Sequence, residues 1–271
     1  MSDSTADRKL GFGATDPRIL NRLAELLADG QPAVLATVVA TSRSVPRQPG
    51  AKMLIVGDGR RIGTVGGGEM EARVEAEARA ALADGRTRLL DYRLVDPDGG
   101  DPGVCGGEVT IHLEPHMPPA TVVVIGCGHV GRAVADLARW LGYRVVASDD
   151  RPEVAEDFSD ADLVVLGPIT ELLGQVNLTS RDHAIVVTRN TDLDVVNLPH
   201  LLATEVGTIG VMGSKRRWET TRTSLEESGV DGTDLDRVVS PVGIDVGAET
   251  PEEIAVSIMA QIVEADRVTD T

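Results

Sequence analysis

The 271-residue chain has few residues of several types, and each shortage excludes a class of protein. Aromatic residues make up 2% of the chain, so a core has to be packed from aliphatic side chains. Two cysteines, Cys105 and Cys127, do not supply the disulfide framework of a small secreted protein. No apolar run approaches the ~20 residues of a membrane-spanning helix, and the polar start does not resemble a signal peptide. We therefore expect a cytoplasmic protein that makes no membrane contact.

Basic residues are also scarce, and lysine is the scarcest of them. Asp and Glu number 43 against 26 for Lys and Arg, which gives a net charge of −17, and the lysines are Lys9, Lys52 and Lys215. So acidic a surface repels nucleic acid and anionic membranes. The composition is typical of a halophilic protein, since screening over roughly 3 Å at molar salt makes dense surface charge tolerable. An acidic protein from a GC-rich genome is the alternative, because it would also favour Arg over Lys.

The apolar pattern divides the chain into two regions with different orders of helices and strands. Up to residue 115, two helices and several strands, including a hairpin around GDGR, indicate an α+β domain. The segment HMPPA, residues 116–120, has two prolines and no apolar period, and we interpret it as a linker. From residue 121 strands and helices alternate, which is typical of a doubly wound parallel sheet. The sequence thus predicts an α/β protein with domains 1–115 and 121–271, the second of them Rossmann-like.

The motif GCGHVG carries the clearest binding prediction, because it follows the apolar run TVVVI and opens a helix. Gly126 permits a tight turn, Gly128 lets a phosphate approach the backbone, and Gly131 lets the helix pack close to its strand. Asp149, about 20 residues on, suits a ribose 2′-hydroxyl, so NAD is favoured over NADP if either binds. The same geometry can persist without a ligand. His129 is either a locally hydrogen-bonded loop residue or a phosphate contact.

A second glycine-containing turn, GVMGSKRR, also follows a strand and opens a helix. In one interpretation, backbone N–H groups together with Ser214, Lys215 and Arg216 hold an anion. In the other, the helix start is solvated and its cations pair with neighbouring carboxylates.

Three loops in the first half of the chain carry residues suited to an anion or a soft metal. Arginine lies beside prolines in SVPRQPGAK, a glycine run enters a helix in GGGEME, and a cysteine precedes two glycines in VCGG. Glycine amides before a helix bind anions, and an accessible thiolate is a soft ligand. The alternatives for these loops are a hairpin loop, a helix N-cap and a buried small cysteine. For Glu71 the alternative is a first-turn acid that complements the helix dipole. The residues concerned are Arg47, Gly66, Gly67, Gly68, Glu71, Cys105, Gly106 and Gly107.

Motifs of known hydrolases and metalloenzymes are absent. The chain has no CxxC, HExxH or GxSxG, and its histidines have no spacing that makes a metal or catalytic pair. We therefore predict no catalytic residue and no metal ligand. An oxidoreductase would also need a group that relays protons during hydride transfer, and none stands out.

Six stretches that cover nearly the whole chain carry a resemblance to a known family. They are ATVVATSRSVPRQPGAKMLI (36–55), GTVGGGEMEARV (63–74), VCGGEVTIHLEP (104–115), VVVIGCGHVGRAVADLARWLGYRVVASDDRP (122–152), IGVMGSKRRWETT (209–221) and SPVGIDVGAETPEEIAVSIMAQI (240–262). In this order they resemble the xanthine dehydrogenase accessory proteins, the XdhC/CoxI family, and the last stretch is especially specific. The chain departs from the family pattern at three places. Glu69 stands where one branch has cysteine, Cys127 stands where the glycine loop usually has alanine, and residues 189–191 stand where a histidine is common.

The resemblance implies a carrier rather than an enzyme. Such a chaperone binds molybdenum cofactor, supports its sulfuration with a cysteine desulfurase and delivers it to an apo molybdenum hydroxylase. The implied site is a pocket between the two domains, formed by the first-half loops and the 126–131 loop, with Cys105 at the molybdenum end. A homodimer is expected from the family. An NAD-binding sensor and an NAD-dependent oxidoreductase stay open as alternatives.

Overall fold

The computed structural model describes residues 17–94, 107–155, 158 and 161–269, and the chain divides into two compact units, Met1–Pro118 and Pro119–Thr271. The predicted linker, residues 116–120, spans this division. Strand pairing in the first unit continues through His116, the first residue of that linker. In the described part of the chain, no helix is both long and apolar enough to cross a membrane.

The described part of the N-terminal unit contains an antiparallel sheet with a helix on each face. Its elements are α1 (Pro17–Ala28), β1 (Ala33–Ser42), β2 (Lys52–Val56), β3 (Arg61–Gly63), α2 (Gly68–Asp84), β4 (Arg88–Arg93) and β5 (Glu108–His116). The strand order is β3-β2-β1-β5-β4. Successive side chains of a strand point to opposite faces. Val34 therefore packs with Val74 of α2, whereas Leu35 packs with Leu23 of α1.

The described part of the C-terminal unit contains a parallel sheet covered by helices on both faces. Its elements are β6 (Thr121–Ile125), α3 (His129–Trp140), β7 (Arg144–Asp149), α4 (Pro152–Ala155), β8 (Leu163–Leu166), α5 (Ile169–Leu173), β9 (His183–Val186), α6 (Thr191–Leu202), β10 (Thr208–Val211), α7 (Lys215–Glu227), α8 (Gly232–Leu235), β11 (Val238–Val239) and α9 (Pro251–Thr269). The strand order is β11-β10-β9-β6-β7-β8. One core lies beneath α5, α6 and α7, and another lies beneath α3 and α9. The predicted fold class is confirmed.

The strand order indicates where on the sheet a ligand would bind. From β6 the chain adds β7 and β8 on one side, and it then returns to add β9, β10 and β11 on the other side. The strand order therefore reverses between β6 and β9. In open parallel sheets, ligands bind outside the carboxyl ends of the strands at such a reversal. The glycine-rich segment after Ile125 and the segment after Val186 therefore meet at the point where a ligand is expected.

Candidate functional site

The glycine turn, residues 126–131, is built by close backbone approaches at two of its three glycines. Gly126 has a φ of +108°, and a Cβ there would lie 2.8 Å from the Val187 carbonyl oxygen. A Cβ on Gly131 would lie 1.9 Å from the Gly126 carbonyl oxygen. A Cβ on Gly128 would meet nothing within 4 Å. The turn therefore needs glycine at 126 and 131 to fit against β9 and α3, whereas the space above Gly128 is open.

Asp149, the predicted ribose acceptor, fixes the glycine turn to the end of β7. Its side chain is 2% exposed. One carboxylate oxygen accepts from the Cys127 N–H at 2.7 Å, and Arg151 donates its own backbone N–H and two guanidinium N–H groups to the carboxylate at 2.8 to 2.9 Å. Burial raises the pKa of Asp149, but these hydrogen bonds outweigh burial and hold the pKa below its ordinary value. Both oxygens are thus engaged by the protein itself.

Asp150 is the exposed carboxylate at the same strand end. The Arg189 guanidinium donates to both of its oxygens at 2.7 Å, and both side chains are about half exposed. This fork lowers the pKa of Asp150 to about 2. Because Asp150 follows β7 and Arg189 follows β9, the pair connects two segments that flank the end of β6.

A cleft of about 380 Å³ opens at these strand ends, and we call it the switch-point cleft. Its volume lies toward the lower end of the roughly 300–1,000 Å³ of small-molecule sites. Two apolar side chains are unusually exposed on it, Leu166 at 48% and Val196 at 58%. The cleft is lined by Ile125, Gly126, Ser148, Asp149, Asp150, Arg151, Pro152, Leu166, Gly167, Pro168, Thr188, Arg189, Leu193, Val196 and Asn197.

In the N-terminal unit, the run Gly66–Gly68 forms the entry to α2. All three glycines have positive φ, at 149°, 87° and 63°. Glu71, from the first turn of α2, accepts from the Gly67 N–H at 3.0 Å and from the Thr64 hydroxyl. Arg61 lies 3.5 Å from the same carboxylate. The Glu71 carboxylate therefore accepts from the Gly67 N–H, one of the glycine amides that we predicted to bind an external anion.

Described residues of all three predicted first-half loops meet at the end of β1. A Cβ on Gly66 would lie 3.0 Å from Cγ of Pro46, and a Cβ on Gly107 would lie 2.3 Å from the Ser44 carbonyl oxygen. Gly107 lies there because β1 and β5 are antiparallel, so the end of one strand is beside the start of the other. We call residues 42–50, 66–68 and 107 the loop cluster.

Arg47 is one of two exposed cations of the loop cluster, together with Arg43. It makes no hydrogen bond or ion pair with any residue in the described ranges of the chain. Cys105 and Gly106, the remaining predicted residues of the VCGG segment, lie outside the described residues. The structure thus brings Arg47, Gly66–Gly68 and Gly107 onto one end of the N-terminal sheet.

Comparison with known proteins identifies the family of both units. The sequence model of the XdhC Rossmann domain matches residues 122–262, which is half of the chain, and that of the XdhC and CoxI family matches residues 26–93. The chain belongs to the XdhC and CoxI family. The resemblance inferred from the six sequence stretches is confirmed.

Individual relatives within this family differ in length. An uncharacterized protein of Escherichia coli K12, YqeB, is 31% identical over 91% of this chain, but the chain spans only 46% of YqeB. A protein of Bacillus subtilis 168, named as a probable subunit of xanthine dehydrogenase, is 25% identical over 88% of this chain and 94% of its own length. The molybdenum cofactor insertion chaperone PaoD of Escherichia coli K12 is 37% identical over 38% of this chain and 32% of PaoD.

In this XdhC and CoxI family member, Cys127 and His129 of the GCGHVG motif do not line the switch-point cleft. Cys127 is buried in the core, and its burial together with the nearby Asp149 charge raises the pKa of its thiol to about 12. Cys127 is therefore an unreactive small side chain at neutral pH. His129 is exposed and lines a separate groove between α3 and α9, beside Trp140, which is 80% exposed.

The SKRR sequence at the start of α7 has two different roles. The Ser214 hydroxyl caps the helix by accepting from the Arg217 N–H at 3.2 Å, and Lys215 and Arg216 are exposed and do not line the cleft. Arg217, which we did not predict, donates to Asp194 at 2.6 and 3.1 Å. In the sequence, such a buried pair is indicated only by Asp194, a carboxylate that lies among the apolar residues of α6.

Arg217 also fastens the turn that follows β9. Its guanidinium donates to the carbonyl oxygens of Thr188 and Asn190 at 3.2 and 3.1 Å. Asp194 is fully buried and also accepts from the Thr188 hydroxyl. No group of three or more His, Cys, Asp or Glu that could hold a metal ion occurs among the residues described.

Proposed function

We propose that this protein is an accessory protein that binds molybdenum cofactor and assists its insertion into a xanthine dehydrogenase-type molybdenum hydroxylase. Family membership over both halves of the chain is the observation that carries this proposal. Two relatives support it, because PaoD is named as a molybdenum cofactor insertion chaperone and the Bacillus subtilis protein as part of a probable xanthine dehydrogenase. The cofactor is cargo in this proposal, and the chain itself performs no redox step.

The loop cluster supports a binding site for the anionic end of this cargo. Molybdenum cofactor is a pterin dithiolene with a phosphate group, and a guanidinium binds phosphate through two parallel hydrogen bonds. Arg47 is exposed and has no acidic partner among the residues whose positions are described. Because Glu71 already engages the Gly67 N–H, Arg47 is the group we assign to the phosphate.

We further propose that Cys105 faces the molybdenum end of the cargo and that sulfuration occurs while the cofactor is held. The family resemblance supports this role, and the position of Cys105 beside Gly106 and Gly107 keeps it close in sequence to the loop cluster. The second cysteine, Cys127, is a natural comparison because burial keeps it protonated.

Anaerobic gel filtration in high salt with purified molybdenum cofactor tests the binding proposal. We expect pterin fluorescence, read after oxidation of the protein peak, in close to equimolar amount. Arg47→Ala should weaken retention by about tenfold or more, as expected for the loss of a charge-assisted hydrogen bond. Arg79→Ala is the matched control, because Arg79 is an exposed arginine of α2 outside the loop cluster.

Two results would contradict different parts of the proposal. A wild-type protein peak without pterin would contradict cofactor binding itself. Unchanged retention in both Arg47→Ala and Cys105→Ser would leave cofactor binding intact but place it outside the loop cluster. For sulfuration, labelled sulfur from a cysteine desulfurase should reach the bound cofactor in wild-type protein and in Cys127→Ala, but not in Cys105→Ser.

A further inference from the structure

The switch-point cleft covers only one half of the sheet reversal. Its lining comes from β6, β7 and β8, from the segments that follow these strands and β9, and from α4 and α6. Among the described residues, no lining residue comes from β10, from β11 or from the segments that follow these two strands. A dinucleotide in this type of fold extends across the whole reversal, with one nucleotide on each side of the first strand. The open space here therefore corresponds to one nucleotide rather than two.

The other half of the reversal is crossed by a side-chain bridge. Arg217, in the first turn of α7, donates to the Thr188 carbonyl oxygen in the segment after β9 and to Asp194 in the first turn of α6. Asp194 has no exposed surface, so separating the pair would leave a buried charge uncompensated. Because this bridge is costly to open, we expect it to stay in place when a ligand enters the cleft.

The wall of the cleft suits one planar ring. Leu166 and Val196 are large apolar side chains exposed to solvent on it. Arg189 adds a flat guanidinium, a group that stacks on aromatic faces. An apolar lining with a few polar groups is the usual character of a small-molecule site.

Acceptors and donors for a ribose and a phosphate are also present. Asp149 is saturated by Cys127 and Arg151, but Asp150 is half exposed and can accept from ribose hydroxyls beside Arg189. Gly126, three residues before α3, lines the cleft, and the space above Gly128, the N-cap of α3, is open. The first N–H groups of a helix have no partner within the helix and attract a phosphate.

We propose that the switch-point cleft binds a single nucleoside 5′-monophosphate with unsubstituted ribose hydroxyls, and that it does not bind a dinucleotide through both halves. A phosphate on the ribose would remove the hydroxyl that donates to the half-exposed Asp150, which disfavours it. This site lies within the C-terminal unit, does not depend on the loop cluster and goes beyond the proposed carrier function.

Calorimetric titration of the full chain with AMP, CMP and NAD⁺ as probes, at one fixed high salt concentration, tests the proposal. At least one mononucleotide should bind, and NAD⁺ should bind no more than about threefold more tightly, because its second half gains no contact. Inorganic phosphate should not displace the bound nucleotide. Val196→Glu should weaken mononucleotide binding by about tenfold or more, because it places a carboxylate on the apolar wall.

Val256→Glu is the matched control for this variant. Val256 is 54% exposed on α9 and lies outside the cleft, so its variant should bind like the wild type. Leu166→Glu is a second variant of the cleft wall, in case Val196→Glu fails to fold. Circular dichroism of each variant confirms that it is folded before titration.

Four results would overturn the proposal. They are no binding of either mononucleotide, displacement of the nucleotide by inorganic phosphate alone, NAD⁺ affinity at least about tenfold above both mononucleotides, and unchanged binding in folded Val196→Glu and Leu166→Glu. Pterin retention, measured on the same preparations, separates these outcomes from a failure of the carrier function.

Discussion

Asp149, Asp150 and Asp194 of the C-terminal unit each bind an arginine, whereas Arg47 of the N-terminal unit has no acidic partner among the described residues. Two of these pairs, Asp150–Arg189 and Asp194–Arg217, join different segments at the carboxyl end of one sheet, and Asp149–Arg151 lies within a single turn. In this unit the charges therefore stabilise the turns that shape the cleft. In the N-terminal unit the exposed Arg47 of the loop cluster stays available to a ligand. Two candidate sites in one chain thus use charge in opposite ways.

The largest expected effect comes from breaking the most buried pair. Asp194→Ala should lower the free energy of unfolding of the C-terminal unit by ~3–5 kcal/mol, because it leaves the Arg217 guanidinium without its carboxylate. Urea unfolding followed by circular dichroism measures the change. Asp236→Ala is the control, since Asp236 pairs with Arg222 at the surface and its loss should cost less than about 1 kcal/mol. Equal losses in the two variants would show that burial does not distinguish these pairs.

A second test compares two glycines of the glycine turn. Gly131→Ala should destabilise the unit by about 1–3 kcal/mol or more, because its Cβ would lie 1.9 Å from the Gly126 carbonyl oxygen. Gly128→Ala meets nothing within 4 Å and changes only the N-cap residue of α3, so it should cost less than about 1 kcal/mol. Unfolding curves of both variants under one condition give the comparison. If Gly128→Ala were the more damaging change, the described geometry of the turn would be wrong.

Local patterns in the sequence predicted the parts of the C-terminal unit that depend on local physics. The strand, glycine turn and helix around Gly126 and Gly131 follow from backbone sterics within a few residues, and the fold class follows from apolar periodicity. The pair Arg217–Asp194 joins residues 23 positions apart, so no spacing rule reveals it. Asp149 was predicted at the correct strand end, but its saturation by Cys127 and Arg151 depends on the side-chain packing of the folded chain.

The N-terminal unit shows the same division between local and long-range information. Glycine runs predicted loops at Gly66–Gly68 and Gly107, since only local composition is needed. That both loops meet the segment after β1 depends on the antiparallel pairing of β1 with β5 and on the path of β3 into α2. β11, two residues long, is too short to show any period in the sequence.

A third prediction concerns the opposite end of the C-terminal sheet, where a histidine is buried. His183 is 3% exposed, and its Nε2 lies 3.0 Å from a carboxylate oxygen of Asp266. Burial lowers the pKa of His183 below its ordinary value of 6.5, although the Asp266 charge opposes this shift. The unfolded chain then binds more protons than the folded chain between the lowered pKa and 6.5. Stability should therefore fall as the pH drops through this window.

The pH dependence of urea unfolding, between pH 8 and pH 5, measures this loss of stability. We expect it to be smaller than the losses caused by Asp194→Ala and Gly131→Ala. His183→Asn should flatten the slope between the two pKa values. His200→Asn replaces an exposed histidine of α6 and should leave the slope unchanged. A slope that survives His183→Asn would assign the pH dependence to another group.

The smallest expected effect concerns backbone strain in the loop cluster of the N-terminal unit. Arg43, in the loop cluster, is the one non-glycine residue with positive φ in the described part of the chain, at +57°. A non-glycine residue in this conformation destabilises the folded state by roughly 1–2 kcal/mol. Glycine removes this strain, but it also makes the unfolded chain more flexible, which lowers the free energy of unfolding by about 0.4–1 kcal/mol. Arg43→Gly should therefore raise the free energy of unfolding of the N-terminal unit by about 0.5 kcal/mol.

Urea unfolding of Arg43→Gly, with Arg43→Ala as the control that keeps the strain, measures this gain. Arg43→Ala removes the same charge but leaves a Cβ, so only the glycine variant should become more stable. Strained backbone is concentrated at functional sites. If the loop cluster is kept in this conformation for its ligand, the glycine variant should gain stability and lose pterin retention together. A stability gain with unchanged retention would instead show that the strain at Arg43 is unrelated to binding.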